Sequence, residues 1–241
     1  MTNRSAIATL TITILLSVSG IECRPSTSES DLVCQRVLSW LEERHQLPKL
    51  AKNDLRPRRA IEFDSILSGK LYEVETFAIR APYYFYVLST SQTMYVLPSG
   101  PDSATDSPHL LDFVTFGSIS DVNRATLLAT LYLKVFSENY SDTIVSTIHD
   151  IAGIQLHTKN SVHFLVTPAG DTISADKLHV TELNCRTDTL QEVKDVTIEF
   201  YSFSPYSGDL TLNRIVLRED GTHNSRRELI CRRVIRGRII E

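Results

Sequence analysis

Residues 31–45 carry apolar side chains at helical spacing. Val33, Cys34, Val37, Leu38, Trp40 and Leu41 fall on one side, and Gln35, Arg36, Glu42 and Glu43 on the other. The spacing predicts an amphipathic helix, with Ser30 placed to cap its start and Pro48 just past its end. Residues 49–59 are charged and contain Pro57, which reads as an irregular surface connection. The period then shortens. Residues 71–79 alternate imperfectly, and residues 83–88 are apolar or aromatic on both faces, as in a strand near the middle of a sheet. Thr90, Ser91 and Gln92 offer a turn before residues 93–97 return, so three antiparallel strands are predicted.

A second helix is predicted over residues 121–138. Its polar residues form one narrow stripe (Asn123, Thr126, Thr130, Lys134, Ser137), and most of the remaining circumference is Leu, Ala, Val, Tyr or Phe. A helix so apolar must be buried on most of its surface. It is expected to lie across a sheet with another layer on its flank, burying Leu128, Leu131, Tyr132, Val135 and Phe136. Strand patterns dominate the remainder. Val162, Phe164 and Val166 alternate, and Val196, Ile198 and Phe200 alternate against Thr197, Glu199 and Tyr201. Residues 213–218 and 228–235 flank Asp220-Gly221, a hairpin signal. Helices and strands are segregated along the chain, which favours an α+β fold with a mainly antiparallel β-sheet and two principal α-helices.

The N-terminus has a pattern of its own. Arg4 precedes an uncharged apolar stretch over residues 6–18, and the small residues Ser17, Ser19 and Gly20 follow. The stretch is too short to cross a bilayer core of ~30 Å as a helix. Charged start, apolar middle and small-residue exit predict a secretory signal peptide over residues 1–20. Residues 21–30 then form a flexible Ser-rich tether and residues 31–241 a single α+β domain. The protein is expected to be exported, secreted or periplasmic, with no transmembrane segment in the mature chain. Cys23 followed by a Ser-rich tether resembles a bacterial lipoprotein, although Glu22 stands where such signals place a small residue. Lipid anchoring through Cys23 is the alternative.

Export changes how the four cysteines are read, because thiols in an oxidising compartment usually pair. Cys185 and Cys231, both in strand-like segments, are expected to form one disulfide, and Cys23 and Cys34 the other. The competing pattern joins Cys34 to a sheet cysteine.

Charge adds one feature. The net charge of −4 is mild and gives no case for nucleic acid. Within residues 225–241, however, Arg226, Arg227, Arg232, Arg233, Arg236 and Arg238 face only Glu228 and Glu241. These arginines are candidate anion-binding residues, weighed against a solvated strand whose arginines pair with the protein's own carboxylates.

Catalytic signals are sparse. The chain lacks GxSxG, HExxH, GxGxxG and P-loop motifs. His149, His157, His163 and His179 are close in sequence and would need to converge with a carboxylate such as Asp150 or Asp171 to do acid–base or metal chemistry. Tyr83, Tyr84, Phe85 and Tyr86 suit ligand stacking or strand packing, with packing favoured. Asn139-Tyr140-Ser141 matches a glycosylation acceptor. No catalytic residue, metal or cofactor is assigned.

A helix across a curved antiparallel sheet resembles, in architecture alone, cystatin-like and NTF2-like folds and periplasmic lipoprotein carriers. The leading expectation is an exported non-enzymatic binding or cell-envelope protein taking a small apolar ligand or a protein partner. The alternatives are an exported hydrolase or isomerase using His and Asp residues in a sheet-lined cavity, and a lipid-anchored structural or partner-docking protein.

Overall fold

The computed structural model describes residues 28–43, 50–76, 83–97, 109–136, 142–147, 150–151, 161–173, 177–190 and 193–237. It is an α+β fold whose sheets are antiparallel throughout the described strands.

Helix α1 spans Glu29–Glu43 and buries Val33, Cys34, Val37 and Leu41. Its cap is Ser28 rather than Ser30. The Ser28 hydroxyl accepts from Asp31 N at 3.2 Å and its carbonyl from Leu32 N, which starts the helix two residues early. The apolar stripe packs on one face of a four-stranded sheet of order β1-β2-β3-β4, built from Leu55–Arg59, Lys70–Thr76, Tyr83–Ser89 and Met94–Leu97. Leu55, Tyr72, Val74, Phe85, Val87 and Val96 meet the helix there. Polar contacts fix its position: Lys70 Nζ lies 3.0 Å from Glu29, Lys52 Nζ lies 2.7 Å from Asp31, and Arg36 Nε donates to Met94 O at 3.1 Å.

Part of the segment read as irregular is strand β1, preceded by a 3-10 turn over Lys52–Asp54. Its charges and Pro57 hide it in the sequence, yet they are what an edge strand carries. Proline has no N–H to leave unpaired, and arginines discourage further strand addition.

Helix α2, Val122–Phe136, begins at Asp121, whose carboxylate accepts from Arg124 N at 3.0 Å. It lies between two sheets. One side meets Leu71, Tyr86, Leu88 and Leu97 of the four-stranded sheet, together with the turns around Phe63, Leu110 and Ile119. The other side meets Val196, Ile198, Phe200, Ile215 and Leu217 of a larger sheet. Leu128, Leu131, Tyr132, Val135 and Phe136 are all buried, as the sequence predicts, while Asn123 and Thr126 stay exposed on the polar stripe.

The larger sheet has seven strands: β5 (Thr143–Val145), β6 (Ser161–Val166), β7 (Thr172–Ile173), β8 (Asn184–Leu190), β9 (Val193–Phe203), β10 (Asp209–Arg218) and β11 (His223–Gly237). Its order is β5-β9-β10-β11-β6-β7, and β8 shares with β5 one edge of β9. β10 and β11 form the predicted hairpin, with Gly221 at φ +83 in the turn. Another turn joins β9 to β10 at Gly208, where φ is +74 and a Cβ would stand 2.8 Å from Arg233 O. A further cluster of Val145, Ile151, Leu165, Leu178, Phe203, Leu210 and Cys231 fills the far end of this sheet. Among the described residues, no helix is long and apolar enough to cross a membrane.

Candidate functional site

Three strands of the small sheet share one sequence rhythm: Arg-Pro-Arg in β1, Glu-Val-Glu in β2 and Tyr-Phe-Tyr in β3. Alternation sends Val74 and Phe85 towards α1. The polar residues therefore face the opposite side, and the register aligns them. Arg56 stands across from Glu75 and Glu75 from Tyr84; in the next row Arg58 stands across from Glu73 and Glu73 from Tyr86. Two Arg-Glu-Tyr rows result; the second runs in under α2, ending at the buried Tyr86.

A groove of about 320 Å³ runs over these rows, lined by Arg56, Pro57, Arg58, Glu73, Glu75 and Tyr84. Its charges are layered. Arg58 Nη2 donates to Glu73 Oε2 at 3.1 Å, and Lys134 Nζ reaches the same oxygen at 3.9 Å from α2. The Arg58 side chain is 71% exposed and that of Glu73 only 16%, so the guanidinium forms the rim and the carboxylate lies beneath. The Tyr84 hydroxyl hydrogen-bonds Glu75; burial, then the charges of Glu75 and Glu73, pushes its pKa up. An exposed pair such as Arg58–Glu73 contributes only about 0–1 kcal/mol to folding. The row holds a guanidinium in place while most of its five N–H donors still face solvent.

A second polar cluster joins the two sheets. His109 precedes the 3-10 turn Leu110–Phe113, and Leu111 N donates to its Nδ1 at 3.2 Å. Asp112 answers by accepting from His109 N at 2.7 Å, and its other oxygen lies 2.7 Å from His223 Nε2 on β11. The His109 ring stacks on Phe136, with centroids 4.8 Å apart, and on His223, with centroids 5.0 Å apart. Burial, then the neighbouring His223, holds the His109 imidazole below its ordinary pKa, while Asp112 pulls the other way.

The residues singled out from sequence fare differently. Alternation puts Arg226 and Arg227 on opposite faces of β11, and Arg232 and Arg233 likewise. Arg226 pairs with Glu228 at 3.5 Å, Arg227 with Asp142 at 3.3 Å and with Phe136 O at 3.0 Å, and Arg232 with both oxygens of Asp209. The Arg233 guanidinium lies 5.5 Å from the centre of the Phe203 ring. These four therefore do not make one cationic strip. The Arg236 side chain and Arg238 fall outside the described residues.

The disulfide expected between Cys185 and Cys231 is also corrected: both are free thiols. β9 and β10 intervene between their strands, which at ~4.8 Å per strand sets them at least about 14 Å apart. A bridge needs a Cα separation of about 5.5–6 Å. Cys34 is a buried free thiol, and its expected partner Cys23 lies outside the described residues. Burial raises the pKa of all three thiols, that of Cys231 to about 11.

His179 is exposed ahead of β8, His149 and His157 lie outside the described residues, and His163 sits on β6 with its side chain undescribed. Asp150 caps its own turn, accepting from Ser146 N and Thr147 N, both at 2.8 Å. Asn139, Tyr140 and Ser141 are outside the described residues. Among those described, no group of three or more His, Cys, Asp or Glu residues could hold a metal ion. The chain matches no known family, no curated protein and no solved structure.

Proposed function

We propose that this is an exported, non-enzymatic binding protein whose site is the groove over β1–β3 and whose ligand is a small anion with an apolar or aromatic body. The layering of charge carries the reading: exposed Arg58 at the rim is backed by the shielded carboxylate of Glu73. The carboxylate orients the guanidinium, and the remaining N–H donors can take a carboxylate or phosphate in two-pronged fashion. Tyr84 supplies the flat wall against which a ring or hydrocarbon can rest. A lining of arginine, glutamate and tyrosine does not favour the apolar ligand expected from sequence.

The hydrolase or isomerase alternative has less to stand on. In the His109–Asp112–His223 cluster one nitrogen of each ring is already engaged, and the His109 ring stacks on both Phe136 and His223.

The experiment is a titration of phenyl phosphate and benzoate into the purified full chain, followed by calorimetry and by amide chemical shifts. Shifts should concentrate on β1, β2 and β3. Arg58→Ala should weaken binding by about tenfold or more, the usual effect of losing a charge-assisted hydrogen bond, with the circular dichroism unchanged. An absence of saturable shifts in the groove at millimolar probe would overturn the proposal.

A further inference from the structure

We infer that His109, Asp112 and His223 form an acid-opened latch between the Leu110–Phe113 turn and β11. The three side chains come from two parts of the fold. The turn belongs to the small-sheet side, where Ser68 N donates to Phe113 O, Leu67 bridges to Val114 and Phe113 packs on Tyr95. His223 opens the last strand of the large sheet. Contact between them closes one seam of the molecule.

The closed arrangement requires an uncharged His109. Its Nδ1 is the acceptor for Leu111 N–H, so a proton at that nitrogen removes the cap and sets two N–H groups against each other. The nearby carboxylate is already shared. Asp112 takes the backbone N–H of His109 on one oxygen and faces His223 Nε2 with the other. A charged His109 would stand against the Phe136 ring and a second imidazole, without a carboxylate of its own.

The surroundings add little compensating charge. On β11, Ser225 pairs with Tyr132 of α2, and Arg227 is turned to Phe136 O and Asp142. On β10, Leu217 stands opposite His223; at the hairpin, Arg218 is 3.5 Å from Asp195, and Asp220 holds Thr222. The Phe136 face offers a protonated ring only weak cation–π attraction.

The sign follows from the shift already given. The closed state holds His109 below its ordinary pKa, and opening restores the ordinary value, so the open state binds the proton more readily. Acid therefore favours opening from the ordinary histidine range downwards, and the effect levels off below the closed-state pKa.

Native-state hydrogen exchange on the full chain between pH 7 and pH 5, corrected for intrinsic rates, tests this at the Leu111 amide. Protection should fall by about tenfold per pH unit within the window, as the uptake of one proton requires. His109→Asn keeps a side-chain acceptor for Leu111 and removes the titration, so its protection should be flat with pH. Wild-type protection that is flat, or a variant that keeps the slope, would overturn the latch. Should the variant not fold, the ring nitrogens of the wild-type chain give a second test. A protonated His109 Nδ1 with Leu111 protection unchanged would equally sink it.

Discussion

Leu131→Ala tests the placement of α2 between two sheets. Leu131 is wholly buried in the cluster that joins the helix to both sheets. Returning the lost part of a leucine side chain to a water-like reference removes roughly 2 kcal/mol. The space left behind adds to this. Walls made of two hydrogen-bonded sheets relax less than a loop would, so a residual cavity of ~70 Å³ at ~24 cal/mol per Å³ contributes about 1.7 kcal/mol more. The sum is about 4 kcal/mol, in the upper half of the range for such deletions. For a protein of this size that lowers the melting temperature by about 8–16 °C. Urea unfolding is the direct assay: the midpoint should fall while the slope stays the same, since the surface exposed on unfolding hardly changes. Thr126→Ala on the exposed stripe is the control, expected within about 0.5 kcal/mol of wild type. A Leu131→Ala midpoint equal to that of the control would show that the helix is not enclosed on both sides.

Gly208→Ala should destabilise by roughly 1–3 kcal/mol, because the new Cβ meets Arg233 O as well as an unfavourable φ. Gly221→Ala has the same backbone penalty without the clash, so its melting temperature should fall less. Non-reducing peptide mapping should find no Cys185–Cys231 peptide. Native-state thiol labelling at pH 8 should reach partly exposed Cys185 well before Cys231, which is enclosed and titrates near 11; equal rates would contradict the burial of Cys231.

The fold was legible wherever one face of an element had a single job. α2 declared itself because a helix enclosed by two sheets can leave only a narrow polar stripe, and Asn123, Thr126, Thr130 and Lys134 trace it. β9 and β10 alternate because one face packs on α2 with Val196, Ile198, Phe200, Ile215 and Leu217, while the other carries Asp195, Glu199, Arg214 and Arg218 between its buried positions. β1 was hidden because edge strands are written in charges and proline, and β5 and β7, at three and two residues, are too short to show a period.

The candidate site was harder to read. Each of Arg-Pro-Arg, Glu-Val-Glu and Tyr-Phe-Tyr looks like an ordinary strand with a wet face, and only the pairing register makes two rows of them. The alternation within Tyr-Phe-Tyr was the available signal: Phe85 and Tyr86 are buried while Tyr84 lines the groove. The histidines that meet are not neighbours in sequence. His109 and His223 converge through the packing of a turn against the last strand, which spacing along the chain does not encode.

The enclosure of α2 also constrains the order in which this polypeptide can mature. Synthesis delivers the helix and the small sheet well before Val196, Ile198, Phe200, Ile215 and Leu217, the residues that close its second side. Until those strands arrive, a nascent chain carries a helix with one long oily flank open to any passing hydrophobic surface. A polypeptide built this way cannot finish its N-terminal half first and leave it safely folded; its vulnerable interval lasts until the final hairpin is made.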